Sequence, residues 1–139
     1  MATAVPIEVR NLTMAYGEYV VQHDITFTVN RGEIFIIMGG NGCGKSTLMR
    51  SLIGLQQPAK GTVLYDGEDF WHVEAAEHER LKRRLGVMFQ GGAMWSSLTL
   101  AENVALPLGE YTDLSPTLIT EIVAFKLALV GLAGFEDFY

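Results

Sequence analysis

Residues Gly39-Gly40-Asn41-Gly42-Cys43-Gly44-Lys45-Ser46-Thr47 fit the spacing G-x-x-x-x-G-K-[ST], and each position suits the binding of a polyphosphate. Gly39, Gly40, Gly42 and Gly44 permit dihedrals that a Cβ would block, so successive peptide N–H groups can turn inward around a ring of oxygens. Lys45 supplies a mobile point charge suited to β- and γ-phosphates. The Ser46 hydroxyl is a small oxygen ligand for the Mg²⁺ that accompanies them, and Thr47 suits an α-phosphate. Cys43 is the only cysteine, so no intrachain disulfide forms and a reducing compartment is expected. A helix N-terminus can activate a thiol, but Cys43 reads better as a small side chain whose backbone N–H matters. A glycine-rich turn that happens to carry Lys-Ser is the competing explanation.

Context decides between the two. The apolar run Ile34-Phe35-Ile36-Ile37-Met38 directly precedes the loop and predicts a central strand covered on both faces. From Lys45, the spacing of Leu48, Met49, Leu52 and Ile53 predicts a helix with one buried face that stops at Gly54. The first turn of that helix points unpaired N–H groups and a positive dipole end at the same anion.

The remaining elements frame this unit. Ile7–Arg10 and Ile25–Val29 read as strands joined by a loop carrying Tyr16-Gly17-Glu18. Thr62–Tyr65 reads as a short strand, and Asp66-Gly67 turns it toward a second one near Asp69–Trp71. The stretch from Glu74 to Arg84 predicts a surface helix whose cluster Arg80, Lys82, Arg83 and Arg84 is a solvated face. Leu85–Phe89 then predicts another buried strand, ending at Gln90. Thr99 and Glu102 form a capping-box pattern for a short helix ending at Pro107, and Ser115-Pro116 opens a last helix running to Gly131.

A chain of 139 residues with 49% hydrophobic content supports one domain with an ample core. Its formal charge of −6 argues against nucleic acid as the main partner. The N-terminus lacks signal-peptide features, and the most apolar stretch, Leu127 to Phe135, is short of the roughly 20 residues needed to cross a bilayer. A cytoplasmic protein, membrane-associated only through a partner, is expected. His23, His72 and His78 show no metal-ligand spacing.

Taken in order, Tyr16-Gly17, Arg31-Gly32-Glu33, Gly39 to Thr47, Gly61 to Gly67 and Val87-Met88-Phe89-Gln90 resemble the ATP-binding subunit of ABC transporters, over essentially the whole chain. The stretch from Phe89 to Leu108 is similar, more narrowly, to the Mla-type ATPases of lipid-asymmetry and organic-solvent-tolerance transporters. The resemblance implies an α/β P-loop NTPase fold with a mixed sheet. A core with antiparallel strands and the phosphate loop would occupy residues 1–90, and the start of the helical subdomain residues 91–139. It implies ATP and Mg²⁺ as cofactors and a place on the inner face of the cell membrane. Permease subunits and a second ATPase subunit are the implied partners. Tyr16 matches the aromatic that stacks on adenine, although an ordinary loop aromatic remains open. Gln90 matches the glutamine whose side chain reaches Mg²⁺ or the attacking water, and a strand-end glutamine without a ligand remains open. Met94, Trp95 and Leu98 would lie near the groove that receives the membrane subunit.

The family's serine-glycine-glycine signature, its Walker B strand and its switch histidine are expected downstream of Tyr139. Phe135-Glu136-Asp137 is a decoy, since no four β-type apolar residues precede the acids and their order is reversed. Phosphoryl transfer needs all of these parts, so Lys45 and Gln90 are catalytic only in the parent assembly. Alone, the chain is expected to bind Mg-nucleotide with negligible turnover and to self-associate through unpaired strand edges. A binding-only module and a small P-loop kinase are the alternatives.

Overall fold

Apolar side chains alternating along the N-terminal third of the chain build a long hairpin: β1 (Ile7–Tyr16) turns at Gly17-Glu18 into antiparallel β2 (Tyr19–Val29). The computed structural model describes residues 6–89 and 91–139. Both strands are longer than the sequence suggests, because three register shifts let them continue through polar stretches. Asn11 (φ 47°) and Asp24 (φ 55°) adopt the left-handed conformation where the register slips, a conformation short polar side chains tolerate. Thr26 ties the first bulge: its Oγ1 accepts from the Asn11 N–H at 2.9 Å and donates to Asn11 Oδ1 at 3.1 Å.

α1 (Lys45–Leu52) follows the phosphate-loop sequence, and β3 (Lys60–Tyr65) then pairs antiparallel with β1. Two-residue β4 (Glu68–Asp69) hairpins back on β3, so the sheet runs β2-β1-β3-β4. Val9, Leu12 and Met14 from β1 join Val63 and Tyr65 from β3, Leu48 and Leu52 from α1, Phe70, and Leu81 from α2 (Ala75–Lys82) in one core. Removing the Leu48 side chain beyond Cβ would cost about 2–5 kcal/mol on the scale of buried leucines.

The expected strands at 34–38 and 85–89 do not form ladders. Every strand pairing in the described sheet is antiparallel, and no described strand lies beside either run to accept its hydrogen bonds. Ile34 to Met38 nonetheless keeps a strand-like alternation. Phe35 stacks on Phe27 at 4.8 Å between ring centroids and Ile37 packs on the core, while Ile34, Ile36 and Met38 are 88, 69 and 84% exposed.

The chain divides into two compact units, Met1–Val87 and Met88–Tyr139. The second holds α3 (Leu100–Tyr111) and α4 (Pro116–Leu129), with Val123 and Leu127 buried. The Thr99–Glu102 capping box forms in both directions. Two further α3 amides are taken by the chain's last residues, Leu100 N–H by the Phe138 carbonyl at 2.7 Å and Ala101 N–H by the Glu136 carbonyl at 3.0 Å. α3 runs through Pro107 rather than ending there. Proline forfeits one intrahelical bond, and the helix closes a turn later where Thr112 donates to the Leu108 carbonyl through both its N–H and its hydroxyl. α4 starts at Ser115, whose hydroxyl accepts from the Leu118 N–H. It ends with Leu132 N–H on the Leu127 carbonyl and Gly131 N–H on the Ala128 carbonyl, the paired bonds of a Schellman stop.

Candidate functional site

α1 is clamped at its carboxyl end. The Tyr65 hydroxyl donates to the Leu52 carbonyl at 2.7 Å, the Trp71 indole to the Ser51 carbonyl at 3.0 Å, and Leu55 N–H to the Arg50 carbonyl at 2.9 Å. Burial pushes the Tyr65 phenol up to about 12, which keeps it a donor throughout the ordinary pH range. These bonds and the burial of Leu48 and Leu52 fix the helix that carries the loop.

At the other end Gly44 is the N-cap, at φ 94° and ψ 7°, and donates no side chain to the cap. That left-handed conformation favours glycine, and a larger residue would have to push β2 side chains aside: a Cβ there would lie 2.8 Å from Val21 Cγ1. Gly39 is hemmed in from inside the loop, since a Cβ would lie 2.6 Å from Cys43 Sγ, whereas Gly40 and Gly42 face open space. The Lys45 ammonium donates to the carbonyls of Gly39 at 2.7 Å and Gly40 at 2.6 Å and lies 3.6 Å from Cys43 Sγ. Thus Lys45, on the first turn of α1, closes back over the start of the loop. Asn41 and Ser46 are exposed. Thr47 is buried, with its hydroxyl 3.4 Å from the Tyr16 hydroxyl, and Arg50 donates to the same phenol at 3.4 Å. The Thr47 hydroxyl, followed by Arg50, pulls the Tyr16 phenol below its ordinary value.

Tyr16 and the nine residues from Gly39 to Thr47 are therefore neighbours, brought together by the end of β1 and the start of α1. Gln90 lies outside the described residues. No cluster of three or more metal-ligating side chains occurs among the described residues, so a cation here would rely on hydroxyl, amide and ligand oxygens. Two contributors had no signal in the sequence. Gln22 on β2 donates its side-chain amide to the Cys43 carbonyl, and Arg50 reaches Tyr16. Both are contacts across long sequence separations with no motif of their own. The basic cluster is more engaged than a bare solvated face: Arg80 pairs with Glu68 and Glu77, Lys82 with Glu79, and Arg84 with Asp66.

The Trp95 loop in the second unit is held by Asn103. Its side-chain oxygen accepts from Trp95 N–H at 2.7 Å, and its amide donates to the carbonyls of Trp95, Leu98 and Thr99. Trp95 itself is exposed.

The family profile described as ABC transporter matches residues 22–137. The chain is 42% identical over 132 residues to the probable ribonucleotide transport ATP-binding protein mkl of Mycobacterium tuberculosis, covering 95% of this chain and 37% of that protein. It is 39% identical over 128 residues to the intermembrane phospholipid transport system ATP-binding protein MlaF of Haemophilus influenzae, covering 92% of this chain and 48% of the relative. The chain thus spans less than half the length of these curated relatives. Among solved structures, the ATP-binding cassette MJ0796, in a dimeric post-hydrolysis state with ADP and Pi, superposes with a TM-score of 0.83 at 26% identity, over 95% of this chain and 60% of that one. A phosphate-type loop at the head of α1, a matching cassette backbone and a profile covering most of the sequence lead to one assignment: the chain belongs to the ABC transporter family and carries the fold of the N-terminal part of its ATPase cassette.

Proposed function

We propose that this chain is the nucleotide-binding part of an ABC transporter ATPase subunit and that its loop holds the phosphates of Mg-ATP. The observation that carries this is the Lys45 ammonium folded against the Gly39 and Gly40 carbonyls, over a glycine loop that caps α1. The donor set fits the ligand. Lys45 and the loop N–H groups would hold β- and γ-phosphates, the exposed Ser46 hydroxyl and Gln90 would take Mg²⁺, and the Tyr16 ring would stack on adenine. Mg²⁺ supplies neutralisation of the phosphate charge that develops on transfer.

These residues bind and orient nucleotide, and the proposed hydrolysis belongs to the parent assembly. In the parent protein, a second ATPase subunit and permease subunits complete the assembly at the cytoplasmic face of the membrane. No helix among the described residues is long and apolar enough to cross a membrane, which suits a subunit attached through partners. A lipid or other hydrophobic compound is the proposed cargo, supported by the Mla-type resemblance of Phe89 to Leu108 and by the MlaF relatives. Residues 1–90 form the proposed nucleotide-binding core and 91–139 the proposed start of the partner-facing helical part.

Calorimetric titration with Mg-ATP tests the proposal. Saturable one-site binding that Lys45→Ala weakens at least about tenfold supports it. Binding indifferent to Lys45→Ala, or no binding at all, overturns it.

A further inference from the structure

We infer that Gln22 is a positioning residue for the phosphate loop, setting the direction of the Gly44 N–H; this rests on the nucleotide-binding proposal above. Gln22 stands on β2 opposite Met14, so its backbone is fixed by the sheet. Its side-chain amide donates to the Cys43 carbonyl. That carbonyl and the Gly44 N–H belong to one trans peptide plane and point in opposite directions. Tying the oxygen to β2 therefore turns the N–H of the α1 N-cap away from the sheet.

The same side chain also limits where Gly44 can go. A Cβ on Gly44 would lie 3.2 Å from Gln22 Cγ and 3.3 Å from Cδ, so the stem of Gln22 sits against the glycine while its amide holds the preceding carbonyl. Rotation of this peptide would have to break the amide bond and push the stem aside together. Gln22 carries no charge, so its effect on a phosphate is transmitted through the peptide and not through direct attraction. Leucine, one atom shorter, keeps a Cγ and Cδ to pack against Gly44 and leaves the Cys43 carbonyl unheld.

The test follows the Gly44 amide by ¹⁵N NMR during Mg-ATP titration of the whole chain and of Gln22→Leu. The expected result is roughly three- to tenfold weaker ATP binding, with a smaller ATP-induced shift of the Gly44 amide at saturation. Gln22→Met, unbranched and of nearly the same length, provides a second variant if the leucine protein does not fold. Its thioether has no donor, so the same weaker binding and the same smaller Gly44 shift are expected. Wild-type affinity and a wild-type Gly44 shift in Gln22→Leu, or in Gln22→Met where the leucine protein does not fold, overturns the inference while leaving ATP binding intact. A wild-type chain that does not bind ATP overturns both.

Discussion

The Tyr16 phenol and the Thr47 hydroxyl meet at 3.4 Å across 31 residues of sequence, joining the tip of the β1–β2 hairpin to the first turn of α1. The hydroxyl end of the ring is thus occupied by protein, while the side chain stays 49% exposed, as the proposed stacking on adenine requires. Separate effects are expected from the two parts of the side chain. Tyr16→Phe keeps the face and loses two long hydrogen bonds, one part-buried and one exposed, so ATP affinity should change by less than about threefold. Tyr16→Ala removes a stacking surface worth about 1–3 kcal/mol and should weaken ATP binding about tenfold or more. Equal losses in the two variants, measured by calorimetry, would show that the hydroxyl rather than the ring matters.

Gly61 tests the sheet that carries the hairpin. It sits in β3 at φ 87°, and a Cβ would lie 2.4 Å from the Asn11 carbonyl oxygen and 2.6 Å from that of Arg10. These are backbone atoms of β1 at its bulge, which cannot swing aside. Gly61→Ala should destabilise the fold by at least about 2 kcal/mol, read as a lower midpoint in urea with an unchanged slope.

Asp66 predicts an acid response. The Arg84 guanidinium, helped by Arg31, holds its carboxyl below the ordinary value of 3.8, so the folded state favours the ionised form. The stabilisation is complete above that value and is lost as pH falls through the lower folded value. Asp66→Asn suits the left-handed turn position, since asparagine tolerates φ 50°. The variant should lose less melting temperature than wild type between about pH 5 and about pH 3. Parallel melting curves would remove Asp66 as a contributor.

The exposed row Ile34, Ile36 and Met38 predicts association between copies of this chain. Light scattering should show a dimer or larger species that Ile36→Lys shifts toward monomer. A wild-type monomer at micromolar concentration would refute the idea.

These elements differ in how much of them was visible in the sequence, and the difference is one of range. The Gly39–Thr47 loop, the α1 stop, the Thr99–Glu102 box and the Ser115-Pro116 start are local devices, each complete within a few residues. The irregularities at Asn11 and Asp24 hid the extension of two strands toward their turn, because register is decided by the neighbouring strand. The amide of Gln22 gave no warning that it would land on Cys43. Apolarity marked Ile34 to Met38 as wanting cover, but a ladder needs a partner, and apolar pattern alone does not supply one.

The carbonyls of Glu136 and Phe138 that cap α3 give the second unit a built-in reporter. The amides of Ala101 and Leu100 are shielded from solvent exchange only while Glu136 and Phe138 stay docked, so their deuterium uptake measures how often that segment lifts. Fast uptake at these two amides beside slow uptake in the next turn would mark release of that segment without helix melting, an opening invisible to circular dichroism.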